Sequence, residues 1–141
     1  MLIEARRRLR RAGIQNYQLN YEKKSIQQLL KNKCDWVLLD VPCTGSGTLK
    51  RNPDLKWKFS FEKLEETLQV QEDILVESLD LVKPNGKIVY VTCSLLQEEN
   101  ISQIFKFCKK YGMKIENDVI FQTVPKQKKM DGFFSVTLVK K

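Results

Sequence analysis

The chain has 141 residues, 42% of them hydrophobic and 30% charged, and its 25 Lys and Arg against 17 Asp and Glu give a formal net charge of +8. That length fits one domain, and no apolar run is long enough for a membrane span or a signal peptide, so a soluble cytoplasmic protein is expected. With no histidine and no CxxC pair among Cys34, Cys43, Cys93 and Cys108, the composition argues against a metal site, His-based nucleophilic triads and a disulfide framework.

In chain order, residues 3–12 read as a helix stopped by Gly13, residues 16–19 as a short strand, and residues 25–31 as a helix capped by Ser25. Residues 35–40 follow as a strand whose apolar run, Trp36 to Leu39, suits burial on both faces. A long helix is predicted over 61–81, with Leu64, Leu68, Ile74, Leu75, Leu79 and Val82 at helical spacing. A Pro84-Asn85-Gly86 turn leads into a buried strand over 87–91, then a helix over 98–110. Two last strands, over 113–121 and 133–139, are expected to form an antiparallel hairpin. The fold class is α/β, with a mixed, mostly parallel sheet flanked by helices, and nothing divides the chain into further domains.

The chemistry-bearing residues stand just after the two central strands. Asp40, Pro42 and Cys43 follow the first, with Gly45 and Gly47 in the next turn. Thr92, Cys93 and Ser94 follow the second. Ligands of open α/β sheets bind outside the carboxyl ends of the strands, and a right-handed crossover through the long helix would bring both cysteines to one edge. Cys34 and Cys108, outside both segments, read as small core residues, and Trp57 also reads as core. Gly45 and Gly47 form either a backbone turn or a phosphate cradle.

The positive charge points to a polyanionic partner. Arg6, Arg7, Arg8, Arg10 and Arg11 read as a solvated helix face, and a further basic group spans 126–129. The group over 50–58 flanks the cysteine segment, which makes Lys50 and Arg51 candidates for phosphate contacts.

DVPCTGSGTLKRNPDLKW (40–57) and VYVTCSLLQEEN (89–100) resemble the two cysteine motifs of the Sun (Fmu) family of S-adenosylmethionine-dependent RNA cytosine-5 methyltransferases, especially its bacterial ribosomal RNA branch. The closing DGFF (131–134) is similar to that family's last motif. The resemblance implies a Rossmann-like class I methyltransferase fold and RNA as substrate, with ribosomal RNA expected and transfer RNA as the alternative. It implies Cys93 as the nucleophile that adds to cytosine carbon 6, Cys43 as the group that helps release the adduct, and Asp40 between S-adenosylmethionine and base. It also makes the Gly45–Gly47 segment a turn beneath the target base.

The resemblance covers essentially the whole chain, as the carboxyl-terminal part of a catalytic domain spanning 1–141. The glycine-rich cofactor loop and the first two strands of the family have no counterpart before Asn16, and the acid expected near the adenine falls among Asn20, Tyr21 and Glu22. A fragment is therefore expected, with an open strand edge at Trp36 that favours aggregation. Two functions follow: a methyltransferase, or an RNA-binding remnant unable to hold the methyl donor.

Overall fold

A computed structural model describes residues 2–20, 23–125 and 130–140. Two units are distinguished, residues 1–30 and residues 31–141.

The first unit holds α1 (Leu2–Arg11) and α2 (Lys23–Leu30). No α1 residue is buried. Glu4 pairs with Arg7 at 3.7 Å and Arg8 at 3.3 Å on an exposed face, so the arginine run is solvated, as expected. Gly13, at a φ of 71°, follows the helix. Residues 16–19 do not form a strand, because an extended segment becomes a strand only against a partner ladder and none among the described residues pairs with it. Since α2 begins at Lys23, Ser25 lies inside the helix rather than at its cap. Tyr21, Glu22 and residues 126–129 lie outside the described residues.

In the second unit, β1 (Cys34–Asp40) is followed by a short 3₁₀ turn at Ser46–Thr48, α3 (Leu55–Lys58) and α4 (Phe61–Leu81). Then come β2 (Val82–Thr92), α5 (Ile101–Tyr111), β3 (Met113–Thr123) and β4 (Phe133–Lys140). Ser60 caps α4, its hydroxyl accepting from the Lys63 amide at 3.3 Å. Gly112 ends α5 in the left-handed region, at a φ of 66° that a side chain would strain.

The four strands form one mixed sheet in the order β1-β2-β4-β3. Among the described strands only β1 and β2 pair in parallel, with Leu39 opposite Tyr90 and Asp40 opposite Val91, so the sheet is mixed as expected but not mostly parallel. β4 runs antiparallel to both β2 and β3, giving the expected terminal hairpin. Because α4 carries the chain from β1 back to a parallel neighbour, the carboxyl ends of β1 and β2 share one edge of the sheet.

Val37, Ile88, Tyr90, Val136 and Leu138 of the sheet join Leu75 of α4 and Ile104 and Phe107 of α5 in one core. Cys34 and Cys108 pack partly buried against it, as their positions outside the motifs suggested. The expectation that β1 is covered on both faces is not met. Trp36 and Leu38 are 58% and 69% exposed, because β1 is an edge strand and its Trp36–Leu38–Asp40 side lies opposite the core row of Val37. Among the described residues no helix is long and apolar enough to cross a membrane.

Candidate active site

The two cysteine loops meet where β1 and β2 end. Beyond Asp40 the chain stays beside β2 for one more residue, the Val41 amide donating to the Val91 carbonyl at 3.2 Å. The loops then diverge and close on each other, bringing Cys43 Sγ to 3.3 Å from Cys93 Sγ. Both cysteines are half-buried. Asp40 is exposed in the last ladder row of β1, on the sheet face opposite the core, and its charge acts on Cys93.

The thiols are unequal. The hydrogen bond between the two sulfurs, in which either could be the donor, favours the Cys93 thiolate and lowers the Cys93 pKa to about 7 from the ordinary 9.0, against burial and the charges of Asp40 and Glu99. The same hydrogen bond, together with burial, pushes Cys43 far upward. Of the two thiols, Cys93 is therefore the one that ionises first, and Cys43 the one that keeps its proton. Iodoacetamide should therefore alkylate Cys93 with a midpoint near pH 7, with reactivity gained as pH rises through that value, while Cys43 stays unreacted. In Cys43→Ala that hydrogen bond is gone while burial and the charges of Asp40 and Glu99 remain, so the midpoint should rise to about 9 or above. Peptide mapping of the alkylated protein across pH checks both, and a Cys93 midpoint near 9 in the unsubstituted chain would refute the pairing.

Glu99 holds the loops in this arrangement. It is fully buried and its carboxylate takes four donors. One oxygen accepts from the Thr44 amide at 2.8 Å and from Gln71 Nε2 at 3.1 Å. The other accepts from Thr44 Oγ1 at 2.5 Å and from the Ser94 hydroxyl. Thr44 adjoins Cys43 and Ser94 adjoins Cys93, so a single carboxylate ties both loops together. Gln71 of α4 also donates to the Pro42 carbonyl at 2.9 Å, and the Tyr90 hydroxyl lies 2.8 Å from the Glu99 carbonyl oxygen. Asn100 anchors the second loop, donating to the Ser94 carbonyl at 2.9 Å and accepting from Thr92 Oγ1 at 2.6 Å.

The glycine turn is packed rather than open. Gly45 adopts a φ of 69°. The Gly47 amide donates to the Cys93 carbonyl at 2.9 Å, and its own carbonyl accepts from the Gly132 amide at 2.8 Å. A Cβ on Gly47 would stand 2.6 Å from the Gly132 carbonyl oxygen and 2.7 Å from that of Cys93. Protein backbone fills the space beside Gly47 that any side chain would need, so the turn is a lock between both cysteine loops and the terminal DGFF segment. Asp131 of that segment forms an ion pair with Arg51. Lys50 is exposed beside it.

Cys43, Cys93 and Asp40 therefore lie at one sheet edge, with Lys50 and Arg51 on the loop that leads away. Trp57 is not core: it is 84% exposed on α3, a four-residue helix too short to bury its outward face. Glu99, Gln71 and Asn100 escaped the sequence reading. The sequence does place Glu99 six residues after Cys93, but near a helix start an acid ordinarily signals an exposed first-turn residue.

The model of the family described as 16S rRNA methyltransferase RsmB/F matches residues 2–139. Ribosomal RNA small subunit methyltransferase B of Shewanella oneidensis is 36% identical over 115 residues, covering 75% of this chain and 27% of that protein. The methyltransferase of the same name from Vibrio vulnificus is 33% identical over 147 residues, covering 94% of this chain and 34% of its own length. The chain thus spans about a quarter to a third of these relatives. Among solved structures, NSun6 from Pyrococcus horikoshii with SFG superposes at a TM-score of 0.82 with 27% identity, over 99% of this chain and 38% of that one. A methyltransferase homolog protein from the same organism gives 0.81 with 26% identity, over 99% and 50% respectively.

Proposed function

Because the chain belongs to the 16S rRNA methyltransferase RsmB/F family, we propose that it carries the base-handling part of an S-adenosylmethionine-dependent RNA cytosine-5 methyltransferase acting on ribosomal RNA by covalent cysteine catalysis. The observation that carries this reading is the 3.3 Å approach of Cys43 and Cys93 at the shared edge of β1 and β2.

Carbon 5 of cytosine is a weak nucleophile. Addition of the Cys93 thiolate to carbon 6 moves electron density to carbon 5, which can then accept a methyl group. The donor supplies that group as a sulfonium-bound methyl. A solvent water at this half-buried edge then takes the carbon 5 proton, its bonding pair restores the double bond between carbons 5 and 6, and the bond between carbon 6 and sulfur breaks with Cys93 departing as thiolate. The Cys43 thiol stands where it can donate a hydrogen bond to that departing sulfur and lower the cost of expulsion. Pro42 restricts the turn that aims Cys43.

S-adenosylmethionine fits this chain in part. The exposed Asp40 carboxylate suits a cationic group at the sheet edge, and the NSun6 relative was solved with SFG, an analogue of the donor. The packed Gly45–Gly47 turn offers no cradle for it. We therefore assign the chain to the carboxyl-terminal part of the catalytic domain, the glycine-rich cofactor loop belonging to the portion of the relatives that this chain does not span. Lys50 and Arg51 would contact RNA phosphates, Arg51 from its pairing with Asp131.

The test joins this chain to the upstream portion of the Vibrio vulnificus relative and supplies small-subunit ribosomal RNA and labelled S-adenosylmethionine. Nucleoside analysis should find 5-methylcytosine with the joined protein and none with this chain alone. Label on another position or base would contradict the reading.

A further inference from the structure

The segment that follows the cysteine loop exposes aromatic rings and lysines in alternation. Trp57 is 84%, Phe61 75% and Phe59 43% exposed, far more aromatic surface than a solvated loop requires. Lys56 Nζ stands 5.6 Å from the centre of the Trp57 ring, and Phe59 and Phe61 contact edge to face at 5.8 Å. Lys63 Nζ donates to the Lys58 carbonyl at 3.2 Å, which holds a second ammonium beside Phe59. Asp54 is the acid paired with this group, 3.8 Å from Lys58.

The ridge is continuous with the cysteine pair. A cleft of about 190 Å³ is lined by Cys43, Leu55, Lys58, Phe59 and Lys63, among others. Leu55 and Phe59 also wall an adjoining cleft of about 240 Å³ with Leu49 and Leu96. A chain laid along this path meets the Phe59 ring, the Lys58 and Lys63 side chains and the Cys43 side chain. That alternation fits unpaired bases joined by phosphates, since every base has a face to stack and every linkage a negative charge.

We propose that Lys56–Lys63 is a stacking ridge for single-stranded RNA, with Phe59 and Trp57 holding bases that flank the one delivered to Cys93 and with Lys56, Lys58 and Lys63 facing the phosphates. The proposal rests on the assignment of RNA as substrate and adds where and in which form the RNA is held. The ridge reads no sequence. It requires an unpaired strand, because duplex bases present no open face.

The chain contains two tryptophans, so Trp36→Phe leaves Trp57 as the sole reporter, and Trp36 lies on β1 outside the clefts. This protein is titrated with a 12-nucleotide cytosine-containing single strand and with the duplex of the same sequence. The single strand should quench Trp57 emission and the duplex should not. By fluorescence anisotropy with labelled strand, Trp57→Ala and Phe59→Ala should each weaken binding about tenfold, and Trp57→Phe should restore most of the loss. Lys56→Gln with Lys58→Gln should lower the slope of log affinity against log salt by about 1.4. Binding with unchanged Trp57 emission and full affinity in Trp57→Ala would overturn the ridge and leave the RNA assignment standing. Equal binding of strand and duplex without quenching would do the same. Failure of the unsubstituted chain to bind either RNA would count against the RNA assignment itself.

Discussion

Glu99→Ala is expected to destabilise the chain by on the order of 3–5 kcal/mol and to disperse the two thiols. The carboxylate is fully buried and its four donors come from Thr44, Gln71 and Ser94. Each buried donor left without an acceptor costs about 1–3 kcal/mol, and water entering the vacated space recovers part of that sum. A truncation of this size should lower the urea midpoint by roughly 2 M. Glu99→Gln keeps the shape but turns one acceptor into a donor facing other donors, so its loss should be intermediate. The site provides a second readout, because Thr44 and Ser94 are neighbours of Cys43 and Cys93. In the folded fraction of Glu99→Gln, the Cys93 alkylation midpoint should move from about 7 toward the ordinary thiol value as the sulfurs separate. A urea midpoint within experimental error of the parent for Glu99→Ala would mean that the loops are held by backbone contacts alone.

Features that depend on local order were legible in the sequence. The 61–81 helix was readable because its apolar positions recur at helical spacing. The cysteines were readable because each follows a strand within three residues, which leaves little freedom in where it can go. What escaped depends on partners distant in the chain. Glu99 and Gln71 are 28 residues apart, and nothing near either one signals that they meet in the interior. Trp57 resembled core because tryptophan usually is, yet it stands 84% exposed on a four-residue helix too short to bury its outward face. The strand expected at 16–19 and the double burial of β1 failed for a related reason. Both require additional strands or helices, and an apolar run records only a capacity to pair or pack. Gly47 was readable as a turn, but its contact with Gly132, 85 positions later, is what makes the position intolerant of any side chain.

The direct test of the central claim, that Cys93 attacks the base and Cys43 releases it, uses the joined protein carrying Cys93→Ala or Cys43→Ala, incubated with ribosomal RNA and S-adenosylmethionine and run on a denaturing gel. Without the Cys93 thiolate no bond to carbon 6 can form, so Cys93→Ala should lower methyl transfer by roughly 10⁴-fold or more and give no protein–RNA adduct. Cys43→Ala leaves the nucleophile in place but removes the donor 3.3 Å away that eases its departure. Assayed near pH 9, where Cys93 still ionises without that donor, attack should proceed and elimination should lag, so an adduct should accumulate and survive denaturation. An adduct trapped by Cys93→Ala and lost in Cys43→Ala would exchange the two roles, and methyl transfer undiminished in Cys93→Ala would contradict covalent catalysis altogether.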